Sequence, residues 1–151
     1  MCIRDRGNIW IADDELSCYN PKTKKLSRSF STNQDGNTRF MLTQDLLAYG
    51  SSMLVGGRTS GVWSFPYHPN NAAHYFKGNQ LDFDELKNKN VSLLYLDSQH
   101  YLWVGTYNMG VYRCHLERGT IDHFGIEQGL IHNLSAVYSK IKKPEIFGYL
   151  L

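Results

Sequence analysis

The stretch "YLWVGTYNMGVYRCHLERGTIDHF" (Tyr101–Phe124) consists of three short apolar-rich runs, separated by the glycine turns "YNMG" and "ERG". Runs of this length bounded by turn residues read as strands. The same order recurs upstream in weaker form. It appears as "NIWIADDELSCYNPKTKKLSRSF" (Asn8–Phe30) and as "MLVGGRTSGVWSFPYHPNNAAHYF" (Met53–Phe76). Trp10, Leu54 and Trp103 take the same place in the second strand of each copy, 44 and 49 residues apart. A period of about 40 to 50 residues with four short strands per unit is the signature of a propeller blade.

The last full copy supplies four strands: "NVSLLYLD", "YLWVGTY", "GVYRCHL" and "TIDHF". In the third of these, Val111, Arg113 and His115 fall on one face and Tyr112, Cys114 and Leu116 on the other, the period of two that marks a strand. The middle copy repeats the order with "RFMLTQDLLAY", "SMLVGGR", "GVWSFPY" and "AAHYFK", while the first copy lacks an opening strand. No capped amphipathic segment separates the strands as a βαβ array would require; only Asp82–Lys89 suits a helical turn, inserted between blades. The expected fold is all-β, a partial propeller of about three four-stranded antiparallel blades forming an open arc. Residues 1–6 are expected to be a non-native leader and 7–38 an incomplete blade. Residues 39–89 form a second blade with its insertion, 90–132 a third, and 133–151 the start of a further blade with an atypical tail. On this reading the chain is a piece of a longer protein.

Composition agrees with a folded β domain. The 151 residues include ten tyrosines, seven phenylalanines and three tryptophans, and the net charge is only +2. Scattered charge gives no footprint for a nucleic-acid backbone. The three cysteines, Cys2, Cys18 and Cys114, show no C-x-x-C spacing, so neither a zinc knuckle nor a redox motif is expected. The apolar runs are too short to cross a bilayer, and no secretory signal opens the chain. Gly56 and Gly105 are expected where a neighbouring sheet packs close. Gly61 and Gly110 are expected to supply positive φ at the entry to the third strand.

The pattern D-x-x-x-x-L-W-V-G-T, followed by G-V-Y-R, a strand ending in Phe and then "EQGLIHNLSAVYS", resembles the two-component regulator propeller repeat. Asp97, Leu102 to Thr106, Gly110, Tyr112, Arg113, Phe124, Gly129, Leu130 and Asn133 fall on the family pattern. The first copy keeps "GNIWIA", with Ala12 and Asp13 in place of the Gly-Thr pair. The middle copy has Leu54 for the tryptophan and Gly57 for the threonine. The resemblance implies part of the periplasmic or extracytoplasmic sensor region of a membrane-anchored hybrid histidine kinase. Its ligand would be an oligosaccharide. Its other partners would be the remaining blades of the parent propeller and, through the parent protein, a second subunit. It implies no nucleic acid, no direct membrane contact and no catalysis by this segment. A secreted carbohydrate-active lyase or hydrolase and a ligand-free spacer are the competing readings.

No nucleophile elbow, metalloprotease, phosphate-loop, dinucleotide or EF-hand spacing is present, so no catalytic residue, metal or cofactor is expected. His115 and His123 could face each other across the final hairpin, but two histidines do not complete a metal site. The acidic clusters Asp13–Glu15 and Asp82, Asp84, Glu85 read as solvated turns. Trp10, Trp103, Gly105, Thr106 and Gly110 are scaffold: the tryptophans as wedges between blades, Thr106 as a hydrogen-bonding residue. Successive antiparallel connections alternate between the two ends of a blade. The turns Asp13–Glu15, Arg58–Ser60 and Tyr107–Met109 therefore share an end with the interblade segments around Leu81–Asn88 and Leu130–Asn133. On that face Tyr107 would stack on a sugar ring, with Arg58, Asn108 and His132 offering hydrogen bonds.

Overall fold

The computed structural model describes residues 2–5, 7–12, 16–30, 43–66 and 75–130. Three sheets follow one another along the chain. The first contains β1 (Cys2–Asp5), β2 (Asn8–Ala12), β3 (Leu16–Asn20) and β4 (Lys25–Phe30). The second contains β5 (Thr43–Tyr49), β6 (Ser52–Gly57), β7 (Gly61–Pro66) and β9 (Asn79–Gln80). The third is β10 (Val91–Leu96), β11 (Tyr101–Thr106), β12 (Val111–His115) and β13 (Thr120–Phe124), joined in sequence order. Within each sheet these neighbours run antiparallel. The assembly is an open arc, as the repeat period predicts.

Two expectations about strands are corrected. The first copy does have an opening strand: Cys2–Asp5, assigned above to a leader, pairs with β2 from Cys2↔Ile11 to Asp5↔Asn8. A tight turn through Gly7 at φ +85 brings this segment back along an otherwise unpaired edge of β2. The run "AAHYFK" does not close the middle sheet. Its residues Tyr75–Lys77 form β8, which pairs in parallel with β4 of the first sheet. The fourth position of the second sheet goes to β9, pairing Trp63↔Gln80 and Ser64↔Asn79. Gly78 admits the chain there, since a Cβ would collide with the Phe65 ring, and Leu81 N–H donates to Val62 C=O at 2.9 Å. β8 meanwhile covers the open edge of β4.

Side-chain alternation gives each sheet a forward face, toward the next sheet, and a rear face. Forward residues of the first sheet, Trp10, Ala12 and Leu16, meet rear residues of the second, Met53, Val55, Trp63 and Phe65, in one core. Forward residues of the second, Leu54 and Val62, meet Leu94, Leu102, Val104, Tyr112 and Cys114 on the rear of the third. Trp10 is thus a wedge between blades, as expected. Leu54 does the same with less area.

Glycine permits the close approach. A Cβ on Gly56 would lie 2.5 Å from Cγ1 of Val91 in the next sheet. Gly105 differs, its nearest neighbour being Leu93 Cβ at 3.2 Å within its own sheet. Gly61 and Gly110 have φ +69 and +77, and a Cβ there would strike the carbonyl oxygens of Leu86 and Phe124. The segment Asp82–Lys89 holds a single 3-10 turn at Asp84–Leu86, whose Leu86 is buried in the second core.

Candidate functional site

The face singled out by the sequence is built from the β6–β7 turn, the β11–β12 turn and the segment between β9 and β10. Gly61 N–H donates to Lys89 C=O at 3.1 Å, and Tyr107 N–H donates to the next carbonyl, Asn90, at 2.8 Å. Two consecutive peptide groups therefore bridge the two turns and fix their spacing. Each turn is also braced from within. Ser60 C=O accepts from Trp63 Nε1 at 2.9 Å and from Gln80 Nε2 at 2.8 Å. Gly110 C=O accepts from Thr106 N–H at 3.0 Å and Thr106 Oγ1 at 2.8 Å, which is the hydrogen-bonding task expected of Thr106.

Bracing of this kind leaves the turn side chains pointing into solvent. Arg58, Tyr107 and Asn108 are all exposed, Tyr107 to 47%. Asn108 sits at φ +70, a left-handed conformation that asparagine tolerates better than most residues. His132 and Asp13–Glu15 lie outside the described residues. Two apolar side chains that the sequence reading passed over, Met109 and Ile126, are 45% and 57% exposed at this same end of the third sheet. A methionine inside a glycine turn, where a polar residue is usual, was the available signal. His123 Nε2 lies 2.7 Å from Met109 C=O and steadies that turn from β13.

The acidic cluster beside this face is paired. Lys87 Nζ bonds Asp84 Oδ1 and lies 3.7 Å from Asp82 Oδ1. That hydrogen bond, with the accompanying charge attraction, holds the Asp84 carboxyl below its ordinary value and pushes Lys87 up. The histidine pair is corrected. His115 lies opposite Thr120 and His123 opposite Tyr112, so the two do not face each other. The period-two register puts them on opposite faces of the sheet. His123 stacks on Tyr112 at 4.5 Å, and His115 meets the edge of Tyr101 at 5.1 Å. Among the described residues no group of three or more His, Cys, Asp or Glu side chains gathers as a metal site.

The scaffold motif has a chemistry of its own. Asp97 Oδ1 accepts the N–H groups of Gln99 and Tyr101, each at 2.9 Å, and Oδ2 accepts Trp103 Nε1–H at 2.8 Å. One carboxylate thus forms the β10–β11 turn and orients the tryptophan six residues on. Trp103 itself faces forward, away from the second sheet. Phe124 stacks on it at 5.8 Å, and the Arg113 guanidinium lies over Trp103, Phe124 and Tyr101 while pairing with Asp122 at 2.8 Å. Trp103 is buried on that face, and Trp10 is buried against the second sheet.

Residues 85–108 match the family model described as two component regulator propeller. They run from the interblade 3-10 turn through β10 and β11 to the Tyr107–Asn108 turn. The resemblance to the regulator propeller stands. Thirteen solved chains also match. Among them is a crystal structure described as the extracellular domain of a one-component system from B. thetaiotaomicron. It is 21% identical, with a TM-score of 0.59 over 87% of this chain. The propeller arc spans 17% of the length of that solved chain. The likeness establishes the shared fold. The sequence finds no match among curated proteins. No helix among the described residues is long and apolar enough to cross a membrane.

Proposed function

We propose that this chain forms part of the ligand-sensing propeller of a signal-transduction regulator, with oligosaccharides as its ligands and Arg58, Tyr107 and Asn108 among the residues that meet them. The observation that carries the reading is the regulator-propeller match at 85–108, which ends on Tyr107 and Asn108 themselves. The solved relative, described as an extracellular domain, supports placement outside the cytoplasm. A membrane anchor and a histidine kinase core elsewhere in the parent protein complete the proposal, on the strength of the repeat resemblance alone. The part played by this segment is binding and not catalysis.

The chemistry fits a neutral or weakly acidic glycan. An exposed tyrosine ring gives a flat apolar surface for the C–H face of a pyranose. An amide offers both donor and acceptor, and a guanidinium offers donors in a fixed fork. Bridging through Lys89 and Asn90 holds the two turns at constant separation, so a ligand spanning them meets a preorganised surface. The test is glycan binding by the full-length parent regulator carrying Arg58→Ala, Tyr107→Ala and Asn108→Gly together, glycine removing the amide without straining the left-handed turn position. We expect affinity to fall at least tenfold while the melting temperature stays within a degree or two, because all three side chains are exposed. Unchanged affinity in a normally folded protein would remove this face as the site.

A further inference from the structure

The second and third sheets use different side chains for one task. The registers place Trp63 of β7 and Tyr112 of β12 at equivalent positions, and their fourth-strand partners are Gln80 and His123. Each partner reaches back to a turn on the candidate face. Gln80 Nε2 donates to Ser60 C=O at 2.8 Å, and His123 Nε2 lies 2.7 Å from Met109 C=O. A carbonyl oxygen only accepts, so the His123 hydrogen sits on Nε2. Ser60 and Met109 are themselves equivalent, each standing directly before a glycine of positive φ, Gly61 or Gly110. A fourth-strand N–H donor therefore grips the same carbonyl in both sheets, although glutamine and histidine share no sequence signature.

What this grip controls is the direction of the turn. In the second sheet both ends of the Ser60–Gly61 peptide group are tied, the carbonyl to Gln80 and Trp63 and the N–H to Lys89 C=O. Gly57 stands there where the third sheet has Thr106, so no threonine hydroxyl braces that turn and the side-chain donors take its place. In the third sheet His123 holds Met109 C=O while Thr106 holds Gly110 C=O. Arg58 lies two residues before Ser60, and Tyr107 and Asn108 immediately precede Met109. We propose that Gln80 and His123 are positioning residues of the candidate face, Gln80 setting the direction of Arg58 and His123 that of Tyr107 and Asn108. Both act through the turns and not on the ligand. The proposal rests on the ligand reading above and adds to it a source of preorganisation.

Isothermal titration of the full-length parent regulator tests it. The probes are neutral and uronic-acid-containing hexasaccharides, and the tightest wild-type binder is carried into the variants. His123→Phe keeps a ring to stack on Tyr112 but removes the donor, and Gln80→Met keeps the side-chain length without the N–H. We expect each to weaken binding about threefold to tenfold, the worth of one hydrogen bond. His123→Gln and Gln80→His, which supply the donor that the other sheet already uses, should bind like the wild type. Coupling separates positioning from a merely structural role. With Tyr107→Ala and Asn108→Gly in place, His123→Phe should weaken binding no further, and with Arg58→Ala in place neither should Gln80→Met. Additive losses would overturn the proposal, as would full affinity in both donor-free variants, and either result leaves the ligand reading standing where the turn variants themselves lose affinity. Turn variants that bind like the wild type, or a wild type that binds none of the probes, would overturn both. Circular dichroism and melting verify folding, and if Gln80→Met does not fold, the His123 variants decide alone.

Discussion

At the scale of single residues, what matters is how little room the interfaces leave. Val91 is fully buried and its Cγ1 stands where a Cβ on Gly56 would go, so it has nowhere to swing. Gly56→Ala is therefore expected to cost about 1–3 kcal/mol through overpacking, although alanine suits a strand better than glycine does. Urea unfolding of the two proteins checks this, and equal midpoints would refute it. Cys114 is a second case. Burial, followed by the nearby charges of Glu85 and Asp122, pushes its thiol up to about 12 from an ordinary 9.0. The folded state keeps the proton that the unfolded chain gives up. Stability from this group is whole below pH 9 and drains away as pH rises toward 12. Cys114 should accordingly resist alkylation in the native protein, and Cys114→Ala should flatten the alkaline decline of the melting temperature. Cys18, raised to about 11 by burial, adds a smaller decline of the same sign that the variant leaves in place.

At the scale of elements, the strands meet at their inner ends through a polar contact as well as through apolar side chains. Asp45 is buried at the bulge in β5, where its Oδ1 accepts Leu46 N–H at 3.0 Å and its Oδ2 reaches Leu94 N–H of the next sheet at 2.8 Å. A carboxylate that accepts a backbone donor from a neighbouring sheet locks the register between them. Asp45→Ala leaves the Leu94 N–H without that acceptor in a buried setting. The expected loss is about 1–3 kcal/mol, read as a lower midpoint in urea and as faster amide exchange at Leu94. The sequence reading placed β5 and β10 correctly but did not find this link. Forty-nine residues separate the partners, and an aspartate at a strand's start looks like any turn residue. Asp97 was legible as a position in the repeat. Its task, holding Tyr101 and Trp103 at once, was not.

At the scale of the whole molecule, the two cores among the described residues each join one pair of neighbouring sheets, so stability is close to a sum of sheets and interfaces. Trp10 belongs to the first interface alone. Trp10→Ala should remove about 3–5 kcal/mol from that interface and leave the second one standing. Hydrogen exchange is expected to show protection lost across 8–30 and retained across 91–124. Uniform loss along the chain would mean a single cooperative unit instead. The same reasoning sets the limit on the candidate face. Its two turns belong to the second and third sheets, so damage to the first should spare it.

The sequence by itself determined the repeat, the all-β class, the arc of three sheets, the turns at Gly61 and Gly110, and the end of the blades to which Arg58, Tyr107 and Asn108 belong. Each of these follows from local spacing: a period of two within strands, a recurring second-strand position, and antiparallel connections that must alternate between ends. Only the tertiary structure decided which edge a strand joins. "AAHYFK" reads as a strand in either sheet, and its parallel place beside β4 depends on an open edge elsewhere and on Gly78 fitting beneath Phe65. Likewise, no local pattern distinguishes Ile11 from Val55 and Val104. One is exposed and the others are buried because only the latter have a sheet stacked behind them, and stacking is a property of the array.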